Sequence, residues 1–249
     1  MLSGKVALVT GGGQGVGQGI ALALARKGAK VAVVGRTVSK CDATAQLIAE
    51  IGGKALAVEC DVKVLESLQL AVQATLEEFG TIDILINNAQ EVPLGPLNDV
   101  SEESFEAGWQ SGPLATLRLM KLCHPHLKGG GSIVNLASTA AKRWDATGYS
   151  AYAAVKEAIR ALTRGAASEW AMDGIRANVV LPHAKSPGLK WWIENNPEES
   201  AAFIATIPMG RVGECEEDIG RFVATLCSEE CAYVNGQSIA VDGGQAYMG

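Results

Sequence analysis

The stretch YSAYAAVK sets a phenol and an ammonium one helical turn apart. Tyr152 and Lys156 are i and i+4, so a helix presents them on one face. Tyr149 has no such partner, because Ala153 stands four residues on. Alanines at 151, 153 and 154 leave room for ligands beside the pair. A free phenol ionises near pH ~10. A nearby ammonium, or a positively charged ligand, would lower that value. Tyr152 is therefore a candidate proton donor to an oxygen that gains negative charge, and a base in the reverse direction. Taken alone, the two residues read as an ordinary helix surface pair.

Their weight comes from a second motif. TGGGQGVG, Thr10 to Gly17, lies between the first strand-like run and the first helical pattern. Glycines there let the backbone approach a ligand, and the helix start behind them favours an anion such as a pyrophosphate. The GxGxxG spacing is absent, and the spacing present is TGxxxGxG, with Gly11, Gly15 and Gly17. The plain alternative is a tight strand-to-helix turn.

Elements of a particular kind must hold these motifs. Apolar runs KVALVT, KVAVVG, KALAVEC, DILINNA, SIVNLAS, RANVVLP and QSIAVDGG alternate with helical patterns. The helices are expected at about 16–27, 39–51, 63–79, 102–127, over YSAYAAVK to about 170, and at about 216–227. Seven strands alternating with helices mean crossover units and a parallel sheet covered on both faces. The fold class is α/β, a doubly wound sheet, and no composition shift divides residues 1–249. The segment from about 182 to 200 reads as one long irregular loop, a candidate binding loop.

Bulk composition narrows the partners. Apolar residues make up 48% and charged residues 19%, so a large core is expected. A net charge of −6 without a basic cluster argues against nucleic acid. The first apolar run is too short for a secretory leader, and no run approaches the roughly 18 residues of a membrane span. The six cysteines lack CxxC spacing, so no metal site is expected and reduced thiols in a cytoplasmic protein are.

TGxxxGxG, the NNA at 87–89, a serine after the fifth strand and YxxxK occur in order across nearly the whole chain, with GQSIAVDGG close to its C-terminus. In this set the chain resembles the single-domain short-chain dehydrogenases/reductases. The resemblance implies a Rossmann-type fold, a nicotinamide cofactor, and hydride transfer between an alcohol and a carbonyl. It implies catalytic roles for Ser138, which would hydrogen-bond the substrate oxygen, and for Tyr152 and Lys156. Ser132 and Thr139 fit the serine position less well. Cofactor contacts are implied for Gly11, Gln14, Gly15, Val16 and Gly17, for Asp61 and Val62 beside the adenine, and for Asn87, Asn88 and Ala89 along the cleft. Tyr152, Lys156, Pro182 and Ser186 complete that set, with Lys156 on the nicotinamide ribose and Ser186 toward the carboxamide. At the end of the second strand Gly35 stands where an acid would bond the ribose hydroxyls, and Arg36 follows. A guanidinium pairs with a 2′-phosphate, so NADP(H) is expected over NAD(H).

Three positions depart from the family pattern. Gly112, followed by Pro113, stands where an asparagine usually holds a relay water, Gln90 replaces a glycine after NNA, and His183 replaces a glycine after Pro182. Pro113 cannot bond the carbonyl of Trp109, so a kink is expected there, with the freed carbonyl able to hold the water. Trp144, His183, Trp191 and Trp192, with Leu189, Phe203, Ile204 and Met209, are candidates to wall an apolar substrate pocket. The alternative is that Trp191 and Trp192 pack on the domain core. An apolar ketone, with cyclic ketones among the candidates, is the expected substrate. The alternatives are a 3-oxoacyl thioester on a carrier protein, and a catalytically weak NADP-binding regulatory protein. Relatedness implies a homotetramer or dimer.

Overall fold

The computed structural model describes residues 1–142, 147–246 and 248. Seven strands form one sheet in the order β3-β2-β1-β4-β5-β6-β7, and every neighbouring pair is parallel. They are β1 (Val6–Thr10), β2 (Lys30–Gly35), β3 (Lys54–Glu59), β4 (Ile84–Asn87), β5 (Ser132–Leu136), β6 (Arg176–Pro182) and β7 (Ser238–Val241). All seven runs singled out in the sequence are strands. The innermost strands β1, β4 and β5 are buried throughout, as in VALVT and SIVNL, whereas the edge strands β3 and β7 hold half-buried residues. Burial on both faces favours continuous apolar runs over alternation.

Helices cover both faces. α1 (Gly15–Arg26), α2 (Val38–Glu50) and α9 (Arg221–Leu226) pack Ile20, Leu24, Ile48 and Val223 on one face. α3 (Leu65–Phe79), α5 (Ala115–Leu127) and α6 (Ser150–Glu169) pack Leu68, Leu119, Met120 and Ala166 on the other. Each fully buried leucine or isoleucine contributes about 1.5–3 kcal/mol relative to exposure. Local chemistry ends the helices. Gly80 takes φ +84° after α3 and returns its N–H to Leu76 O at 2.8 Å. Ser101 caps α4 (Glu102–Trp109) through its side chain, with Glu102 and Glu103 in the first turn.

Three expectations about helices change. The segment read as irregular at 182–200 forms α7 (Pro187–Asn195) and α8 (Pro197–Ala205). Each begins on a proline at its first turn, where the missing N–H costs nothing. The helix expected at 102–127 is interrupted by a π turn over Gln110–Leu114, which contains Gly112 and Pro113. The proline is absorbed by one wide turn rather than a break. The helix expected at 216–227 starts as another π turn, Cys215–Gly220, so Cys227 caps it and Cys231 lies in a separate short turn.

No helix among the described residues is long and apolar enough to cross a membrane. No cluster of metal-ligating side chains is present among them.

Candidate active site

The order of strands reverses beside β1, with β2 on one side and β4 on the other. In such sheets ligands bind in the crevice at that switch point. Thr10, the last residue of β1, fixes it. Its Oγ1 accepts from the backbone N–H groups of Asn88 and Ala89 at 2.9 and 3.1 Å and donates to Ile86 O at 3.3 Å. The Asn88 amide donates to Thr10 O at 3.0 Å and Gly11 O at 3.3 Å. Asn87 turns the other way, donating to Asn135 at 2.8 Å in the core. Of the two asparagines, Asn88 lines the cleft and Asn87 does not, which corrects the sequence reading. Successive side chains of a strand point to opposite faces, and that separates them.

The glycine turn approaches its surroundings too closely for side chains. Gly11 and Gly15 take φ +64° and +56°. A Cβ on Gly17 would fall 2.2 Å from Gly11 O. The cavity in front of this turn has a volume of about 440 Å³. Gly11, Gln14, Gly15, Val16, Arg36, Asp61, Val62, Asn88, Ala89 and Ser186 all reach it. Backbone that only glycine can form, opening on a cleft of ligand size, fits a dinucleotide. Gly17 lies in the cradle behind the cavity wall. Ser186 also caps α7, accepting from Leu189 N at 3.3 Å.

Sequence reasoning missed several residues here. Lys40 lines the cavity and donates to Gln14 Oε1 at 2.6 Å. Glu91 lines it and pairs with Arg36 at 2.7 Å and Lys63 at 3.0 Å. Lys40 could have been found as the basic residue one turn beyond Arg36. The partners of Glu91 lie far from it in sequence and gave no local signal.

At the neighbouring strand ends, β5 and α6 bring Ser138, Tyr152 and Lys156 together. Ser138 stands beside the Tyr152 phenol and acts to lower its pKa, and Ser138 Oγ accepts from Ala140 N at 3.2 Å. Lys156 Nζ is buried, donates to Leu136 O at 2.7 Å and lies 5.5 Å from the Tyr152 ring centroid. Ser132 is buried at the start of β5, and Thr139 is buried beside Ser138. Burial pushes the Tyr152 phenol up to about 12, against the lowering effect of Ser138. The sequence had suggested a phenol lowered by its ammonium neighbour, and in the protein alone desolvation wins. The same burial pushes Lys156 down to about 7.

This burial has a consequence for stability. A lysine whose folded pKa lies near 7 carries fewer protons than the unfolded chain between about pH 7 and 10. Its burial cost is therefore complete below pH 7 and fades as pH rises. Lys156→Met is expected to melt at a higher temperature than the parent at pH 6, and the difference should shrink by pH 9. Tyr152 does not disturb that window, because its shift acts only above about pH 10. A gap between the melting curves that stays constant with pH would contradict a neutralised Lys156.

The substrate-side candidates separate. His183 and Trp192 each meet the Phe203 ring edge-on, at 5.4 and 5.7 Å between centroids. Trp191 is 63% exposed, and α7 buries no residue, so Trp191 does not pack on the core. Met209 is exposed as well. Pro182 closes β6, paired with Val241. Trp144 lies outside the described residues.

The switch point, its glycine cradle and the hydroxyl–ammonium set beside it define a class. The protein is a nicotinamide-dependent oxidoreductase that moves hydride between an alcohol carbon and a carbonyl carbon. Residues 11–246 match the family model described as enoyl-(acyl carrier protein) reductase. The chain is 40% identical to 12α-hydroxysteroid dehydrogenase from Clostridium sp. (strain ATCC 29733 / VPI C48-50), over 98% of this chain and 97% of the relative. A 7α-hydroxysteroid dehydrogenase, solved with NADH and 7-oxo glycochenodeoxycholic acid, superposes with a TM-score of 0.92. It is 30% identical, over 98% of this chain and 94% of the other. A 3-ketoacyl-(acyl-carrier-protein) reductase from Brucella melitensis with NADH superposes at 0.89, with 30% identity over 99% and 100% of the two chains. The chain belongs to the short-chain dehydrogenase/reductase family.

Proposed function

We propose that this enzyme interconverts an apolar cyclic ketone and its secondary alcohol, with Tyr152 as proton donor in reduction and Ser138 holding the substrate oxygen. The placement of Tyr152 beside Ser138 and one helical turn from buried Lys156 carries this reading. The nicotinamide supplies and accepts hydride when bound. Tyr152 gives its proton to the oxygen that gains charge, and Ser138 donates to the same oxygen. Lys156 would hold the cofactor ribose, with the glycine turn on the pyrophosphate and Asp61 and Val62 beside the adenine.

An apolar substrate is supported by the aromatic set His183, Trp192 and Phe203 on the arm formed by α7 and α8. The arm begins against the glycine turn, where Pro187 Cδ stands 3.0 Å from the position of a Cβ on Gly15. The steroid-named relatives agree with this class. Purified enzyme with NADPH and a 12-oxo steroid should turn over faster than with an acetoacetyl thioester. The reverse order would favour the carrier-protein substrate.

A phenol held near 12 stays protonated through the neutral range, so it suits reduction directly. Oxidation needs the phenolate. Alcohol oxidation is therefore expected to accelerate steadily from pH 7 to 10, while ketone reduction stays level until the phenol ionises. Parallel pH profiles in the two directions would contradict Tyr152 as the shared acid and base.

For the cofactor we infer NADP(H) over NAD(H). Arg36 and Lys40 flank the adenosine end, and Gly35 offers no carboxylate to repel a phosphate. Glu91 is the competing anion, since it already engages Arg36. Glu91→Gln should tighten NADPH several-fold and leave NADH unchanged, and Arg36→Ala should weaken NADPH alone. Fluorescence titration of both cofactors reads this, and equal effects on the two would contradict it. A homo-oligomer and a cytoplasmic location complete the reading. The location is supported by six free cysteines, four of them buried. Light scattering tests the assembly.

A further inference from the structure

Two departures that look unrelated in the sequence touch in the structure. Gln90 follows β4, and its side chain reaches the π turn at 110–114. Its Nε2 donates to Glu91 O at 2.7 Å and Gly108 O at 2.8 Å, with Ser111 Oγ at 3.4 Å. Ser111 Oγ in turn accepts from Glu91 N at 2.9 Å and donates to Ala107 O at 2.7 Å. Both amide hydrogens thus meet carbonyl oxygens. A flipped amide would set oxygen against oxygen, so the orientation is fixed.

The oxygen of that amide occupies unusual space. An ideal Cβ at Gly112 would fall 2.3 Å from Gln90 Oε1 and 3.0 Å from its Cδ. Gly112 is buried, so no side chain at 112 fits unless the amide moves. Gln90 Oε1 is itself buried and has no hydrogen-bond partner among the described residues. A buried amide oxygen ordinarily has a donor. The π turn packs against α6, which carries Tyr152 and Lys156. Gln90 also lines the cofactor cavity.

We infer that Gln90 is a positioning residue which supplies, from the end of β4, the carboxamide that position 112 lacks: its amide hydrogens shape the π turn, and its Oε1 is the acceptor on the proton path to Lys156. The inference rests on the hydride-transfer reading above. Nothing covalent happens at Gln90, which accepts one hydrogen bond while the proton given up by Tyr152 is replaced through Lys156. Gly112 is then the space that Gln90 requires, and the pair is a relocated carboxamide.

The test moves the carboxamide back. Gln90→Gly is expected to lower kcat for ketone reduction about tenfold or more at saturating NADPH, whatever the change in the Kd for NADPH. With its acceptor gone, the charged form of Lys156 loses support, so the apparent pKa in the kcat profile should fall. Gly112→Asn alone should lower both kcat and melting temperature, because its side chain meets Gln90. The double variant Gln90→Gly/Gly112→Asn should regain most of the parent's kcat. Parent-like kcat and pH profile in Gln90→Gly would overturn the inference. So would a double variant that binds NADPH yet is no faster than Gln90→Gly. If the parent binds NADPH but reduces no carbonyl, the hydride-transfer reading fails instead. The pairing is then still decided by melting temperature. Gly112→Ala should destabilise the parent but not the Gln90→Gly background, and equal losses in both would overturn it.

Discussion

Tyr152→Phe is expected to lower kcat for ketone reduction by about 10²- to 10⁴-fold while NADPH binding survives. The change removes one oxygen and keeps the ring, so the edge-on contact with Tyr149 at 6.2 Å and the packing of α6 should hold. What goes is the proton beside Ser138. Burial raises the phenol and so keeps it protonated at neutral pH, which means nearly every molecule of the parent is competent for reduction. The glycine turn and the cavity before it do not involve Tyr152, so the titration of NADPH fluorescence should remain close to that of the parent. Stopped-flow reduction of a cyclic ketone and that titration read the two effects separately. A variant with a tenth of the parent rate or more would remove Tyr152 from the chemistry. Ser138 or solvent would then be the proton source.

Much of this site could be read from the chain, and what could not has identifiable causes. The strands were legible because two-sided burial demands runs such as VALVT and SIVNL, which few other elements need. The glycine turn and Tyr152–Lys156 were legible because each is local, with its spacing set by one turn. Helices α7 and α8 were missed although Ser186-Pro187 and Asn196-Pro197 are helix-start signals. The pairing of Glu91 with Arg36 spans 55 residues, and that of Gln90 with Gly108 spans 18. Such contacts exist only once β4 lies beside its neighbours. The titration of Tyr152 was misjudged for a related reason. Spacing reveals which charge is near, but only the fold determines how dry the site is, and here the dryness has the larger effect.

Gly17→Ala is the substitution expected to damage the protein most broadly. The added methyl would sit 2.2 Å from Gly11 O, 2.5 Å from the Asn88 amide nitrogen and 2.8 Å from Gly11 C. Two of these neighbours are backbone, and the third is itself tied to Thr10 O and Gly11 O. None is the free end of a flexible side chain, so relief requires the first turn of α1 to move away from β1. That motion opens the cradle and also loosens the contact of α1 with the π turn at 215–220. There a Cβ on Gly19 would already fall 2.3 Å from Cys215 O. Overpacking of this kind costs about 1–3 kcal/mol. The melting temperature should therefore drop by several degrees, and NADPH affinity should fall by about two orders of magnitude as the backbone N–H groups lose alignment. Gly165→Ala in α6 is the control. Its Cβ would meet only Glu169 Oε1, at 3.9 Å, and its backbone is helical. Alanine is the better helix former by about 0.5–1 kcal/mol, so that variant should melt no lower than the parent. If Gly17→Ala binds NADPH as tightly as Gly165→Ala does, then the cradle is not where the pyrophosphate lies. The alternative would be a plain tight turn, with the glycines serving only the packing of α1.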